Sequence, residues 1–285
     1  MPYEGMIFRP PSEAESLIIQ ATVGCSWNKC TFCSMYRYKD FRIKEYDEIK
    51  DDIETAKMVY GDKIRRVFLA DGDALVLDTD YLLKIIDDLN KAFSKLERVS
   101  TYATPHNLLD KDIDDLKKLK KHGLDLVYLG VETGDNNLLR SIGKGVTRDE
   151  MLDAGLKAKK AGIKLSVTII LGLGGKEGSK THAKETARLL SDMDPDYVGA
   201  LTLMITPSTA GRLTLLSPIE SILECRSIIE NMEVSDCIFR SNHASNYLPL
   251  GGRLPEDKDK IIKTIDDIIE KNKTYLLRSE DIRAL

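Results

Sequence analysis

Apolar residues along this chain fall into two alternating patterns. Short, nearly continuous apolar runs predict strands at Ser16–Val23, Arg65–Ala70, Arg98–Ala103, Leu126–Val131, Lys164–Leu171 and Tyr197–Met204. Between them, apolar residues recur at helical spacing over Tyr46–Tyr60, Thr79–Lys95, Asp110–His122, Thr147–Ala161, Gly178–Met193 and Ser217–Met232. Runs such as Val127-Tyr-Leu-Gly-Val131 suit parallel strands covered on both faces. Successive β-then-α units imply a parallel sheet with right-handed crossovers, so the fold class is α/β. Asp110 is placed to cap a helix ending at His122-Gly123. Thr147 with Glu150 reads as a capping box for a helix that stops at Gly162. Periodicity leaves open whether the strands lie flat or close into a partial barrel.

The pattern changes after Met232. A short apolar run, Asp236-Cys-Ile-Phe239, leads into a polar, turn-rich stretch from Arg240 to Gly252. Then Ile261, Ile262, Ile265, Ile268 and Ile269 form one stripe of an amphipathic helix. No internal repeat, low-complexity tract or linker divides the chain. The reading is therefore residues 1–215 as the main α/β body and 216–285 as a loop-and-helix extension packing on or over it.

Composition adds limits. The 285 residues are 42% hydrophobic and 31% charged, which is ordinary for a globular chain long enough to bury a full core. The net charge of −4 gives no broad basic field for nucleic acid, although a local RNA-binding patch stays open. No apolar stretch is long enough to span a bilayer, and Met1-Pro2-Tyr3-Glu4-Gly5 does not read as a signal peptide. The expectation is a cytoplasmic protein without a membrane partner.

The five cysteines sharpen this picture. An odd count argues against a disulfide framework and for a reducing compartment. Cys225 and Cys237 stand apart and read as buried apolar fillers. Cys25, Cys30 and Cys33 form the motif C-x4-C-x2-C directly after the first predicted strand. Three readings compete for it. A structural zinc site needs a fourth ligand, and His106 is the nearest histidine in sequence. A nucleophilic or redox cysteine leaves the triplet unexplained. A [4Fe–4S] cluster held by three thiolates keeps its fourth iron open for a small molecule, and this accounts for the ligand count best.

With that loop after the first strand and β/α units following it, the chain resembles the radical S-adenosylmethionine superfamily over roughly residues 16–215. It looks closest to the branch of anaerobic coproporphyrinogen oxidases and methylthiotransferases. The usual spacing there is C-x3-C-x2-C, so the first gap here is one residue longer. The resemblance implies a partial (β/α)6 barrel of parallel strands, with Cys25, Cys30 and Cys33 holding one [4Fe–4S] cluster. It also implies S-adenosylmethionine chelated on the open iron and an external one-electron donor of the flavodoxin or ferredoxin kind. Reductive cleavage would yield methionine and a 5′-deoxyadenosyl radical that abstracts hydrogen from substrate.

In a parallel barrel the site lies at the C-terminal strand ends. Ala70-Asp71-Gly72-Asp73-Ala74 resembles the superfamily segment that binds the methionine ammonium, with Gly72 allowing close approach and Asp73, or else Asp71, supplying the acceptor. An acidic turn is the plain alternative. The run from Gly130 to Gly145 resembles the fourth-strand segment, which places Glu132 at the nucleoside. Lys144, twelve positions later, falls at the methionine carboxylate, where relatives often carry arginine; its plain alternative is a surface charge. Thr168 occupies a polar position suited to the ribose, ahead of the Gly-rich turn Gly172-Leu-Gly-Gly175. Phe32 would pack on adenine or shield the cluster. No residue is assigned as catalytic.

Near the rim, Thr104 and His106 follow the third strand, and Ile205-Thr-Pro207-Ser-Thr-Ala-Gly211 follows the sixth. Tyr36, Arg37 and His243 are further candidates at the barrel mouth, over which the stretch Arg240–Tyr247 is placed to fold. The expected substrate is a small molecule, with RNA or peptide behind it. The competing functions are a non-catalytic iron–sulfur electron-transfer module and a zinc-binding interaction protein.

Overall fold

A computed structural model describes residues 3–206 and 214–284. Of the expected rim loop Ile205–Gly211, the part from Pro207 onward lies outside the described residues. In chain order the elements begin with β1 (Leu17–Gln20), β2 (Thr22–Val23), β3 (Arg42–Ile43), α1 (Tyr46–Tyr60), β4 (Arg66–Ala70) and α2 (Thr79–Ala92). They continue with β5 (Arg98–Ala103), α3 (Pro105–Asp110), α4 (Ile113–His122), β6 (Leu124–Glu132), α5 (Asn136–Ser141) and α6 (Arg148–Lys160). The remainder are β7 (Lys164–Leu171), α7 (Gly175–Met193), β8 (Tyr197–Thr202), α8 (Pro218–Asn231), β9 (Cys237–Ser241), β10 (Leu250–Leu254) and α9 (Lys258–Glu270). The fold is mixed α/β with mostly parallel strands.

The chain divides into two compact units. The first holds residues 1–28, 35–129 and 153–165. In it β1, β4, β5 and β6 pair in that order, all parallel. Ile19, Val67, Leu69, Val99 and Val127 on these strands are fully buried, as are Ile85 and Leu89 of α2 and Leu119 of α4. The predicted first strand is split. After Ala21 the chain turns away, and β2 pairs antiparallel with β3. The predicted helix from Asp110 to His122 starts later than expected, and a short helix not expected lies ahead of it. Thr104 and Asn107 exchange capping bonds around Pro105 and start α3, so Asp110 ends that helix. The cap of α4 falls on Asp112, and Gly123 closes it at φ 118°.

The bottom of this unit is ionic. Glu13 is fully buried and accepts from Arg98 at 2.7 Å, from the Tyr128 hydroxyl at 2.6 Å and from the Ser16 hydroxyl. Arg98 begins β5, so this cluster belongs to the N-terminal strand ends, where buried polar groups serve stability in parallel barrels.

The second unit holds residues 29–34, 130–152 and 166–285. In it β7 pairs parallel with β8 and β8 parallel with β9, and β10 returns antiparallel to β9. Thr147 and Glu150 make the expected reciprocal bonds at the start of α6. Ser217 and Glu220 do the same for α8, with Pro218 at its first position. The isoleucine stripe behaves as its spacing predicts, with Ile261, Ile265 and Ile268 buried on α9. Two features were not expected. Residues 250–254, at the end of the turn-rich stretch, form a strand that pairs with the β-like run at 237–241, and α5 follows β6.

Candidate cofactor site

In each unit the cysteines lie near residues that end strands. In the first unit, two carboxylates straddle Cys25. The Gly24 N–H donates to Asp71 Oδ2 at 3.2 Å, and the Ser26 N–H donates to Asp73 Oδ1 at 3.0 Å. The Ser26 hydroxyl also donates to Asp73. Between the two acids, the Gly72 N–H donates to the Gly24 carbonyl at 3.0 Å. A Cβ at Gly72 would lie 2.8 Å from the Tyr36 ring and 2.9 Å from Cys25 Cβ, so only glycine fits this approach.

Both acids are fully buried. Asp71 is paired with Lys39 at 2.5 Å, yet burial outweighs that cation and holds its carboxyl above the ordinary range. Burial pushes Asp73 up to about 6 despite bonds from Ser26 and Asn107. The rim candidates of this unit have partners of their own. Thr104 caps α3, and His106 stacks on Trp27 with centroids 4.4 Å apart. Tyr36 is buried against Gly72 and the edge of Phe8, and Arg37 is partly exposed.

In the second unit, Cys30 and Cys33 belong to one turn, with the Cys33 N–H donating to the Cys30 carbonyl at 3.3 Å. The Thr31 N–H donates to the Ile142 carbonyl at 2.8 Å, tying that turn to the segment after α5. Phe32 packs against the apolar cluster of Ile142, Ile170, Leu173 and Leu203. At the end of β6, Glu132 has φ +65°. A left-handed conformation at a residue with a Cβ is uncommon and persists only where its surroundings over-determine it. One such constraint is Lys144, whose Nζ lies 2.9 Å from Glu132 Oε1, with both side chains about one-tenth exposed. Burial alone would lower the Lys144 ammonium. The charges of Glu132, Cys30 and Cys33 outweigh burial and hold it above its ordinary value. Lys144 is therefore not a surface charge. Thr168 is half-buried on β7, opposite Gly199 of β8.

Cys25, Gly72 and Asp73 are thus neighbours in the first unit. In the second, Lys144 joins Glu132 and the charges of Cys30 and Cys33. Cys225 and Cys237 are buried, and burial pushes both thiols up to about 12, as expected of apolar fillers.

Sequence reasoning passed over His182 and Glu224. His182 is fully buried on α7 and burial lowers it to about 4; Glu224 is buried on α8 and burial raises it to about 7. The signal available was position. His182 shares a helix face with Ala183, Thr186, Ala187 and Leu190, all buried, where a histidine must find partners.

His243 lies in the polar stretch after β9. Its Nδ1 accepts from the Ser245 N–H at 3.1 Å, and burial with nearby Arg278 lowers its affinity for a proton. Asn246 fixes this stretch to β8, accepting from Thr202 Oγ1 at 2.8 Å and donating to the Ala200 carbonyl at 3.0 Å.

Among the described residues, no three His, Cys, Asp or Glu side chains gather closely enough to hold a single metal ion. A cubane asks for a different donor set, one thiolate to each of three irons. Within each unit the chemistry of the residues suits that demand. The three cysteines form no disulfide and are partly exposed, Gly72 leaves Cys25 room, and a buried ammonium sits in the field of Cys30 and Cys33.

Comparison with known proteins gives this donor set its context. Residues 19–190 match the Radical SAM superfamily, and the chain belongs to it. That superfamily uses a [4Fe–4S] cluster and S-adenosylmethionine. A provisionally named methylthiotransferase of Methanocaldococcus jannaschii is 28% identical over 163 residues, 55% of this chain and 35% of that protein. The heme chaperone HemW of Bacillus subtilis is 22% identical over 185 residues, 63% of this chain and 48% of that protein. The chain thus spans less than half the length of either relative. The structure of coproporphyrinogen III oxidase from Escherichia coli, a radical SAM enzyme, superposes with a TM-score of 0.56 at 14% identity, over 75% of this chain and 51% of that one. At that identity the likeness is one of fold, consistent with the superfamily's partial barrel.

Proposed function

We propose that this protein is a radical S-adenosylmethionine enzyme with one [4Fe–4S] cluster held by Cys25, Cys30 and Cys33, acting on a small molecule. When bound, the cluster and S-adenosylmethionine supply reductive carbon–sulfur cleavage and a radical able to abstract hydrogen. The observation that carries the reading is the buried Lys144–Glu132 pair in the field of Cys30 and Cys33. Lys44 is buried against Asp52 in the same way, so what sets Lys144 apart is its place beside Cys30 and Cys33.

The other residues take defined parts in this reading. Lys144 offers a point charge to the methionine carboxylate. Asp73 keeps lone pairs beyond those bonded by Ser26 and accepts from the methionine ammonium, with Gly72 allowing the approach. Glu132 and the Thr168 hydroxyl bond the nucleoside, and Phe32 with Ile170 excludes water from adenine. Residues 1–215 form the barrel and 216–285 the extension. A flavodoxin- or ferredoxin-like protein supplies electrons. The net charge of −4 favours a small-molecule substrate over a polyanion. Among the described residues no helix is long and apolar enough to cross a membrane.

Anaerobic reconstitution with iron and sulfide tests the reading. It predicts a single cluster per chain, and 5′-deoxyadenosine on adding dithionite and S-adenosylmethionine. A loaded, reducible cluster that yields no 5′-deoxyadenosine and shows no spectral response to S-adenosylmethionine identifies an electron-transfer module instead. Stoichiometric zinc without sulfide after anaerobic purification identifies a zinc protein.

A further inference from the structure

Two buried polar side chains of the second unit stand behind the ends of β6 and β7. His182 comes from α7. Its Nε2 donates to the Ile170 carbonyl at 3.1 Å, which fixes the proton on that nitrogen. Its Nδ1 then accepts from the Thr133 hydroxyl at 2.8 Å, with the Thr186 hydroxyl 3.3 Å away. Thr186 in turn accepts from the Gly134 N–H at 3.0 Å. Helix α7 is pressed against this point, since a Cβ on Gly134 would collide with the Glu185 carbonyl. Glu224 comes from α8. Its carboxylate accepts from the Gly172 N–H at 2.6 Å and from the Ser179 hydroxyl at 2.5 Å, joining α8, α7 and the turn after β7. Glu224 and His182 lie 3.6 Å apart, beyond hydrogen-bond range.

These bonds converge on two short segments. Thr133 and Gly134 directly follow Glu132, while Ile170 lies two residues after Thr168 near the end of β7 and Gly172 opens the turn beyond it. A buried histidine and a buried carboxylate are costly in an apolar interior unless fully bonded, and apolar residues would pack helices to a sheet at lower cost. What apolar residues lack is direction. Hydrogen bonds to named backbone atoms set where a strand end lies and how it turns. The positive φ of Glu132 is the kind of conformation that needs such fixing.

We propose that His182 and Glu224 are positioning residues that hold the ends of β6 and β7 in the conformation that receives S-adenosylmethionine. The proposal rests on the cofactor reading above. Neither residue touches the cofactor; both act through Thr133, Gly134, Ile170 and Gly172.

The test is equilibrium binding of S-adenosylmethionine to the reconstituted full chain, with iron and sulfide content measured alongside, and amide hydrogen exchange without ligand. Glu224→Leu and His182→Leu should keep the cluster, weaken binding about 10-fold or more, and speed exchange over 132–135 and 170–173. Glu224→Gln keeps an acceptor for Gly172 and a partner for Ser179, and should bind within about 3-fold of wild type. If the leucine variants do not fold, Ser179→Ala and Thr133→Val remove one partner from each residue and should each weaken binding measurably. Loaded variants that bind as wild type does overturn this proposal and leave the cofactor reading standing. A loaded wild type that does not bind S-adenosylmethionine overturns both.

Discussion

Lys144 carries the largest contrast between what a residue type suggests and where it lies. A lysine between two glycines reads as solvated, yet its ammonium is buried against Glu132. Removing one member of a buried ion pair leaves the other charged and without its partner, at about 3 kcal/mol or more. Lys144→Gln should therefore lower stability by about 3 kcal/mol in denaturant titration. Adding Glu132→Gln should return most of it, because a pair of amides needs no counter-charge. Affinity for S-adenosylmethionine should fall in the single variant and stay low in the double. Recovery of both stability and binding in the double variant would show that the pair serves the fold alone. Neither burial nor pairing could be read from the residue itself; the spacing to Glu132 was legible only through the superfamily resemblance.

At the scale of elements, β7, α7 and α8 are held together by groups whose protonation opposes one another. Burial raises Glu224 to about 7 from an ordinary value of 4.5, so its neutral form favours the native state. The stability it contributes is complete below about pH 4.5 and is lost as pH rises to 7. His182 is lowered to about 4 from 6.5, so the unfolded chain takes up its proton first. The stability it contributes is complete above about pH 6.5 and is lost as pH falls to 4. Between pH 4.5 and 6.5 the two slopes cancel, each being about 1.4 kcal/mol per pH unit. Relative to wild type, Glu224→Gln should therefore become less destabilised as pH rises from 4.5 to 7, by about that slope. A difference independent of pH, measured by denaturant unfolding at several pH values, refutes the assignment.

The same elements show how far pattern reading reaches. Every long periodic segment folded as its spacing indicated, and α1, β5 and β7 match to the residue. Misreadings fell where a few residues decide. Pro105 and its Thr104–Asn107 cap start a short helix that periodicity passed over, and its last residue is the Asp110 read as the cap of the next helix. The sequence Leu250-Gly-Gly-Arg-Leu254 reads as a turn because its glycines carry no side-chain pattern; its pairing with β9 makes it a strand. His182 and Glu224 were passed over because most of their partners, the Thr133 and Ser179 hydroxyls and the Ile170 and Gly172 backbone groups, are brought to them only by the fold.

On the scale of the whole chain, the superfamily match ends at residue 190, within α7. Beyond it, the second unit is closed by its own tail. The Arg283 guanidinium donates to the Leu203 carbonyl at 2.9 Å, the Ser245 carbonyl at 2.6 Å and the Tyr247 hydroxyl at 2.6 Å. It also pairs with Glu280 and lies 4.0 Å over the Tyr247 ring. One planar cation thus joins the exit of β8, the polar stretch carrying His243 and the last turn of the chain. Arg278 adds bonds to the His243 carbonyl at 2.9 Å and the Asn246 carbonyl at 3.1 Å. Nothing in the pattern of residues 278–284, most of them exposed, marks Arg283 as interior; burial of its guanidinium follows from the acceptors around it, most of which come from distant parts of the sequence. Arg283→Ala strands buried carbonyls and removes the cation from the Tyr247 ring, and should cost about 3 kcal/mol of stability. Arg283→Lys should recover little, because an ammonium cannot reproduce the fork that reaches Leu203, Ser245 and Tyr247 together. In both variants hydrogen exchange should accelerate over 243–247 while cluster content stays at the wild-type level. Exchange unchanged there would mean that the stretch around His243 is fixed by Asn246 and β8 without the tail.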